Sequence, residues 1–168
     1  MVNWRLILNG LAFNAVWLAA LAIKSIPLAV TLMMIWLIVE SKQVKQHWRY
    51  LVILLSCGLL IDSGLFLLGW MEFQADILPA SILLLIWLAF SFFTTYFFDA
   101  TNFSWPSLAL LSVVGGPSSY LAAHSLGAVH INWQQVGFTT AFIVFWFVVL
   151  PLAANMFRSL SCKKDIRY

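Results

Sequence analysis

Six apolar segments, separated by short polar stretches, dominate the pattern of the chain. They cover roughly residues 6–23, 26–39, 50–70, 79–98, 107–129 and 137–157. A helix that crosses a bilayer needs about 20 apolar residues, with a range of about 17–25. The pattern therefore predicts an all-α, polytopic membrane helical bundle of about six transmembrane helices. We expect residues 1–168 to form a single transmembrane domain, because the connecting stretches are too short for a soluble catalytic domain.

The second segment is the weakest of the six. It is short, but Lys24-Ser25 leaves only a tight link before it, and Pro27 suits the first turn of a helix. A re-entrant hairpin is the alternative to a full span here. Pro27 and Pro106 open the second and fifth segments at similar places, which would fit an inverted repeat of three plus three helices.

The fifth segment contains a helix-breaking sequence, Gly115-Gly116-Pro117. Proline removes one backbone donor and disfavours helical angles at the residue before it. We therefore expect the fifth helix to be broken there. A discontinuous helix could line a functional site, since freed carbonyls at membrane depth must face protein or a wet cavity. A kink that lets small residues pack closely is the structural alternative.

Composition supports the membrane assignment. The chain is 63% hydrophobic and only 9% charged, and its mean hydropathy is +0.96. Soluble domains are about 25% charged, and a small soluble fold could not hide this much apolar surface. The net charge of +3 does not indicate nucleic acid as a partner, because the basic residues flank apolar runs.

The basic residues predict the orientation. With the amino terminus in the cytoplasm, only Lys24 among the nine lysines and arginines falls outside. The cytoplasmic set is Arg5, Lys42, Lys45, Arg49, Arg158, Lys163, Lys164 and Arg167. This distribution follows the positive-inside rule. It predicts cytoplasmic amino and carboxyl termini, with residues 158–168 as a basic cytoplasmic tail.

Asp62 is the most informative polar residue, because it lies inside the third apolar segment. A carboxylate at the bilayer centre costs about 2.5–3.5 kcal/mol on insertion scales, so it should face the bundle and is a candidate for function. Tyr120 and His124, four residues apart on one helix face, and Asn14 on the first helix are its candidate partners. A protonated Asp62 that only stabilises helix packing is the alternative, and a packing role is the usual one for an isolated histidine.

Metal and cofactor chemistry has no sequence signal. Cys57 lies in an apolar run and Cys162 in the basic tail, so the two cysteines should not meet. CxxC and HExxH motifs are absent from the sequence. We predict neither a metal nor a cofactor.

Several motifs resemble one bacterial inner-membrane family, domain of unknown function 2878. They are Phe13-Asn14-Ala15-Val16-Trp17, Asp62 between Gly58 and Gly69, Pro79 with Ile86-Trp87-Leu88-Ala89-Phe90, and Gly115-Gly116-Pro117-Ser118-Ser119-Tyr120 with Leu126-Gly127-Ala128. Ala80-Ser81 departs from the family, where a hydrophobic-Trp pair often follows that proline. The resemblance covers nearly the whole chain and implies the inner membrane of a Gram-negative bacterium and a setting of fatty-acid modification.

Three functions are consistent with these observations. The first is an accessory factor in membrane-lipid or fatty-acid modification, with membrane lipids and a membrane-associated enzyme as partners. The second is a small transporter or channel subunit with an intramembrane Asp/His site. The third is an intramembrane enzyme that uses Asp62 and His124. The sequence does not distinguish among them, and it leaves the oligomeric state open.

Overall fold

The structure, a computed structural model, describes residues 3–73, 79–134 and 136–162. Within these ranges the chain forms six helices and two short strands, and the all-α helical bundle predicted from the sequence is confirmed. In chain order the elements are α1 (Trp4–Leu21), α2 (Ile26–Val39), α3 (Ser41–Leu67), β1 (Met71–Phe73), α4 (Pro79–Ala100), α5 (Trp105–Ser125), β2 (Val129–Ile131) and α6 (Val136–Cys162).

Four of these helices are long and apolar enough to cross a membrane: α1, α3, α4 and α6. The helix α2 has only 14 residues, which at about 1.5 Å per residue falls short of the ~30 Å hydrocarbon core. The helix α5 is 21 residues long, but its glycines, proline and serines lower its hydropathy. Six membrane crossings therefore remain a prediction, whereas the membrane-like character of the bundle is evident from the four long helices.

The contacts nevertheless show that all six helices run between the same two faces of the bundle. One face carries the antiparallel pair β1–β2, and we call it the ribbon face. The Lys24 ammonium, in the α1–α2 link, donates to the Gly127 carbonyl at this face, at 3.1 Å. Contacts between helix ends mark the opposite face, which we call the Arg5 face: Arg5–Glu40 at 2.7 Å, Gln43–Asp99 at 2.9 Å and Arg158–Phe103 at 3.4 Å.

An ion pair joins the start of α1 to the α2–α3 junction at the Arg5 face. The Arg5 guanidinium contacts the Glu40 carboxylate at 2.7 Å. Partial burial acts to raise the pKa of Glu40, but hydrogen bonding to its carboxylate, first of all by Arg5, and the positive charge of Arg5 together hold that pKa below its ordinary value. The pair fixes the two segments to each other at neutral pH.

Helix boundaries differ from the sequence-based expectation most clearly in three helices. The helix α6 continues to Cys162, so residues 158–162 of the predicted basic tail are helical. The third helix begins at Ser41 rather than near residue 50, so the basic stretch up to Arg49 is helical, with a kink at His47. Hydropathy did not reveal this polar start of α3, because it marks only the apolar part of a helix. The fifth helix ends at Ser125, and Val129 belongs to β2. Residues 74–78 and 163–168, which include Asp76 and much of the predicted basic tail, lie outside the described residues.

The expected break in the fifth helix is wrong. The helix α5 continues from Trp105 to Ser125 with Pro117 inside it. Gly116 has no Cβ, so part of the clash that normally drives the residue before proline out of helical angles is absent. The hydroxyls of Ser118 and Ser119 donate to the carbonyls of Gly115 and Gly116, at 3.0 and 2.7 Å, and these bonds support the same turn.

The bundle contains an internal repeat that joins α3–β1–α4 with α5–β2–α6. Each first helix ends at a glycine with positive φ, Gly69 at 67° and Gly127 at 63°, a conformation that glycine adopts without steric cost. The same closing bond follows each glycine, from Trp70 to Leu65 and from Ala128 to Ala123, both 3.0 Å. The strands then pair about a centre at Glu72 and His130. This repeat differs from the inverted three-plus-three arrangement considered from the sequence.

Candidate functional site

Asp62 lies in the interior of the bundle, where α3, α4 and α5 meet. Its side chain is only 2% exposed. The indole N–H of Trp87 donates to Oδ2, and the hydroxyl of Tyr120 donates to Oδ1, both at 2.7 Å. Each carboxyl oxygen therefore has a neutral donor from another helix. These bonds offset the cost of burying a polar group at this depth.

Two glycines allow the tryptophan rings to reach this position. A Cβ on Gly58 would overlap the ring of Trp87, and a Cβ on Gly116 would overlap the ring of Trp146. The two indoles lie nearly parallel, 8° apart, with ring centroids 6.3 Å apart. Small residues thus let α4 approach α3, and α6 approach α5, through the same contact in each half of the repeat.

The repeat also relates Asp62 to Tyr120, which are 58 residues apart in the chain. Asp62 lies one turn after Gly58, and Tyr120 lies one turn after Gly116. The Asp62–Tyr120 hydrogen bond therefore joins the two halves of the repeat. The halves differ in one respect: the buried indole N–H of Trp146 has no hydrogen-bond acceptor within the described parts of the chain.

The other two candidates from the sequence do not join the cluster. The Nδ1 atom of His124 accepts from the Ile131 amide at 3.3 Å and lies 3.2 Å from the Val129 carbonyl oxygen, so this histidine holds β2 against α5. The amide of Asn14 donates to the Gly10 carbonyl within α1, at 2.8 Å. The candidate Asp62–His124 contact does not form. Asp62 lies seven residues before Gly69, whereas His124 lies three residues before Gly127, so His124 is one turn nearer the ribbon face.

A groove with a cavity of about 280 Å³ runs beside Asp62. Its walls come from α1, α3, α4, α5, α6 and the ribbon, and apolar side chains, many of them aromatic, make up most of them. Wall residues include Phe13, Trp17, Leu21, Asp62, Met71, Phe73, Leu83, Trp87, Phe90, Phe93, Phe97, Leu111, Gly115, Tyr120, Val129, Trp146 and Leu150. Along α4 it extends from Leu83 to Phe97, which is about 20 Å at 1.5 Å per residue.

The groove is open along one side, between α1 and α5. Leu111 and Gly115, on its α5 wall, are exposed, and Phe13 and Trp17, on its α1 wall, are half-buried. A Cβ added to Gly115 would meet no other atom within 4 Å. A molecule in the surrounding hydrocarbon could therefore enter sideways, without passing through either face of the bundle.

The sequence does not single out Trp87 as the partner of Asp62, because a tryptophan inside an apolar helix is more often a packing residue. One signal in the sequence points to Trp87. Each half of the repeat has a glycine in its first helix and a tryptophan in its second, Gly58 with Trp87 and Gly116 with Trp146. A similar amide–indole bond joins Asn9 to Trp36 at 2.6 Å, between α1 and α2. A search for tryptophans opposite buried polar residues would have identified both pairs.

The chemistry around Asp62 is that of an apolar groove beside one buried carboxyl. No group of three or more His, Cys, Asp and Glu residues with metal-binding geometry is found in the part of the chain that the structure describes. The Asp62 carboxyl is held between two neutral donors, and the wall beside it is almost entirely apolar. Such a wall suits a hydrophobic molecule with few polar atoms.

These features define a class: a small helical protein of membrane type, built on two related helix–strand–helix units around one buried carboxyl. The chain belongs to the family described as a protein of unknown function, DUF2878, whose model matches residues 6–152. The resemblance noted from the sequence motifs is thereby confirmed. Comparisons with curated proteins and with solved structures find no match.

Proposed function

We propose that this protein resides in the inner membrane of a Gram-negative bacterium, with both termini in the cytoplasm. The distribution of charge supports this orientation. Arg5 and Arg158 lie at the Arg5 face, as does the helical start of α3 with Lys42 and Lys45, whereas Lys24 lies at the ribbon face. By the positive-inside rule the Arg5 face is cytoplasmic and the ribbon face is periplasmic.

We further propose that the groove binds one hydrocarbon chain of a membrane lipid. The observation that carries this proposal is an aromatic-lined groove, open sideways, in a bundle whose long helices are apolar enough to cross a membrane. Its length of about 20 Å exceeds the ~15 Å half-thickness of a bilayer's hydrocarbon core. A single extended acyl chain matches that shape, and its entry from the bilayer requires no passage through water.

The biochemical role that follows is an accessory one in membrane-lipid or fatty-acid modification. The protein would hold a chain in a defined position and present it to a membrane-associated enzyme. Two features support this role over catalysis by the bundle itself: the oxygens of Asp62 are occupied by Trp87 and Tyr120, and His124 is engaged by the backbone of β2. The family resemblance, which implies a setting of fatty-acid modification, points the same way.

The apolar wall of the groove and the continuous helix α5 favour lipid binding over the transporter alternative. A transport path for a polar solute needs polar groups along its wall, with half-helix ends directed at the solute. The described wall is mainly apolar, and the hydroxyls of Thr94, Ser112 and Ser119 on it are engaged in bonds within the bundle. The helix α5, which contains Gly115-Gly116-Pro117, is continuous. The bundle therefore lacks a discontinuous helix at the point where the sequence suggested one.

Lipid that copurifies with the protein provides the test. The wild type and two variants, Gly115→Leu and Gly64→Leu, would be purified in mild detergent and examined by native mass spectrometry. Both glycines have open space where a side chain would begin, but only Gly115 lines the groove. A leucine at position 115 should obstruct the groove without disturbing the helix contacts, and the Gly64 variant controls for an added leucine.

The expected result is one retained lipid or fatty acid per wild-type and Gly64→Leu chain, and a strong reduction for Gly115→Leu. Thermal unfolding of each sample would verify that the variants are folded. Equal retention by all three proteins, or no retained lipid in the wild type after gentle extraction, would contradict binding in the groove.

A further inference from the structure

Lys24 lies at one end of the groove. Its ammonium group donates to the Gly127 carbonyl at 3.1 Å. Leu21, three residues before Lys24, and Val129, two residues after Gly127, both line the groove. The α1–α2 link and the end of α5 thus meet at the ribbon-face end of the groove, with the cation between them.

The backbone at this position is unusual. Lys24 has φ 56°, and it is the one non-glycine residue with positive φ in the described ranges. A lysine rarely adopts this conformation, because the Cβ is crowded by the backbone. Strained residues of this kind persist where the surrounding structure requires them, frequently at ligand-binding positions. The surrounding structure therefore holds an exposed lysine at this end of the groove in a conformation that lysine rarely adopts.

The charge of Lys24 is also unusual for its location. It is the one lysine or arginine that the structure places at the ribbon face, and among the described residues it takes part in no ion pair. A cation on the non-cytoplasmic side runs against the trend of the other basic residues. Lysine carries three donors, so the bond to Gly127 leaves two for another acceptor.

We propose that Lys24 binds the anionic headgroup of the molecule whose chain occupies the groove. This inference rests on the proposed lipid-binding function and specifies the ligand: an amphiphile with a hydrocarbon chain and a carboxylate or phosphate headgroup. The chain lies along the aromatic walls towards Phe97, and the headgroup remains at the ribbon face beside Lys24. The ligand is therefore drawn from the ribbon-face leaflet of the membrane.

Three chain molecules and one free anion would distinguish the possible headgroups. The purified protein in neutral detergent would be titrated with palmitate, palmitoyl lysophosphatidate, hexadecanol and inorganic phosphate, and occupancy measured by native mass spectrometry. We expect palmitate or the lysophosphatidate to bind about fivefold more tightly than hexadecanol, the contribution of roughly one cation near a membrane surface. The preference should weaken as salt is added, and inorganic phosphate alone should not bind.

Two substitutions test the role of Lys24 itself. Lys24→Gln should remove the preference for the anionic probes while leaving hexadecanol binding unchanged, and Lys24→Arg should retain it. Thermal unfolding of both variants controls for folding. A wild type that binds hexadecanol as tightly as the anionic probes, or a preference that survives in Lys24→Gln, overturns the headgroup assignment and leaves chain binding intact. Failure of every chain molecule to bind the wild type overturns both proposals.

Discussion

At the scale of single residues, two glycines and two tryptophans set the closest approach of the helices. The rings of Trp87 and Trp146 lie directly over Gly58 and Gly116, and the Trp87 indole reaches Asp62 from that position. The site geometry therefore requires glycine at both positions, because any side chain there would overlap a tryptophan ring. A single methyl group at either glycine is enough to test this.

We predict that Gly116→Ala destabilises the protein by about 1–3 kcal/mol, the usual cost of overpacking a well-packed core. Gly115→Ala is the matched control, because it adds the same methyl group to the same helix in open space. The midpoint of thermal unfolding in detergent, followed by size-exclusion chromatography, would measure both. A Gly116→Ala variant as stable as the Gly115→Ala variant would show that the ring contact is not tight.

A second residue-scale prediction concerns the buried carboxyl. Asp62→Leu leaves the Trp87 N–H and the Tyr120 hydroxyl without their acceptor, at a cost of about 1–3 kcal/mol for each buried group. Asp62→Asn keeps the shape and one carbonyl oxygen, so it should be close to the wild type in stability. The same thermal assay separates the two variants. If Asp62→Leu were as stable as Asp62→Asn, the hydrogen bonds to Trp87 and Tyr120 would contribute nothing to the fold.

The sequence predicted the inward orientation of Asp62 because exposure to lipid is costly. It named Tyr120 among three candidate partners, but it could not separate Tyr120 from His124, since helical spacing gives their shared face and not their exact level relative to Asp62. Tyr120 and His124 share one helix face by spacing, yet Tyr120 bonds to Asp62 and His124 bonds to β2. The two residues differ in level by one helical turn, and the register between α3 and α5 that selects Tyr120 is set by the pairing of β1 with β2, which only the structure reveals.

At the scale of elements, the long apolar helices were predictable and the ribbon was not. Apolar length alone defines a membrane-type helix, and α4 begins at Pro79, as expected. The strands β1 and β2 are three residues each, too short for an alternating pattern to emerge. The repeated Leu-Gly sequence at Leu68-Gly69 and Leu126-Gly127 was the available sign that both halves end in the same way.

The ribbon gives an element-scale prediction. Glu72 and His130 are directly opposite in an antiparallel pair, where Cα atoms are typically about 4.5–5.5 Å apart, within the range for disulfides. Cysteines at these two positions, in a chain with Cys57 and Cys162 replaced by serine, should form an intramolecular disulfide with mild oxidant. Mass spectrometry of the digested protein would identify the linked peptides. The control pairs Glu72→Cys with Ser125→Cys, at the last residue of α5 and outside the ribbon. This pair should not cross-link efficiently.

At the scale of the whole molecule, the separation of charge between the two faces predicts the orientation. The ribbon joins the ends of α3 and α5 at one face, and α4 lies between them in the chain. The helix α5 must therefore return across the same thickness as α4, despite its lower hydropathy. An even number of crossings follows if α2 also spans.

We predict that reporter fusions at Lys45 and at the carboxyl terminus are cytoplasmic, and that a fusion at Gln134 is periplasmic. A fusion at Gln74, in the segment outside the described residues, should also be periplasmic. Paired alkaline phosphatase and fluorescent protein reporters would measure each position from both sides. A periplasmic carboxyl terminus would contradict the count of six crossings.

The central claim is that the groove beside Asp62 holds a lipid chain, and site-specific photo-cross-linking tests it most directly. A palmitate with a photoactivatable group near its methyl end would be incorporated into vesicles with the protein, and the labelled residues mapped by mass spectrometry. The account predicts labelling concentrated on groove walls such as Phe93, Phe97 and Leu111, and its loss in Gly115→Leu. Labelling confined to outer surfaces such as Leu60 and Leu67, which are 74% and 83% exposed, and unchanged in Gly115→Leu, would contradict it.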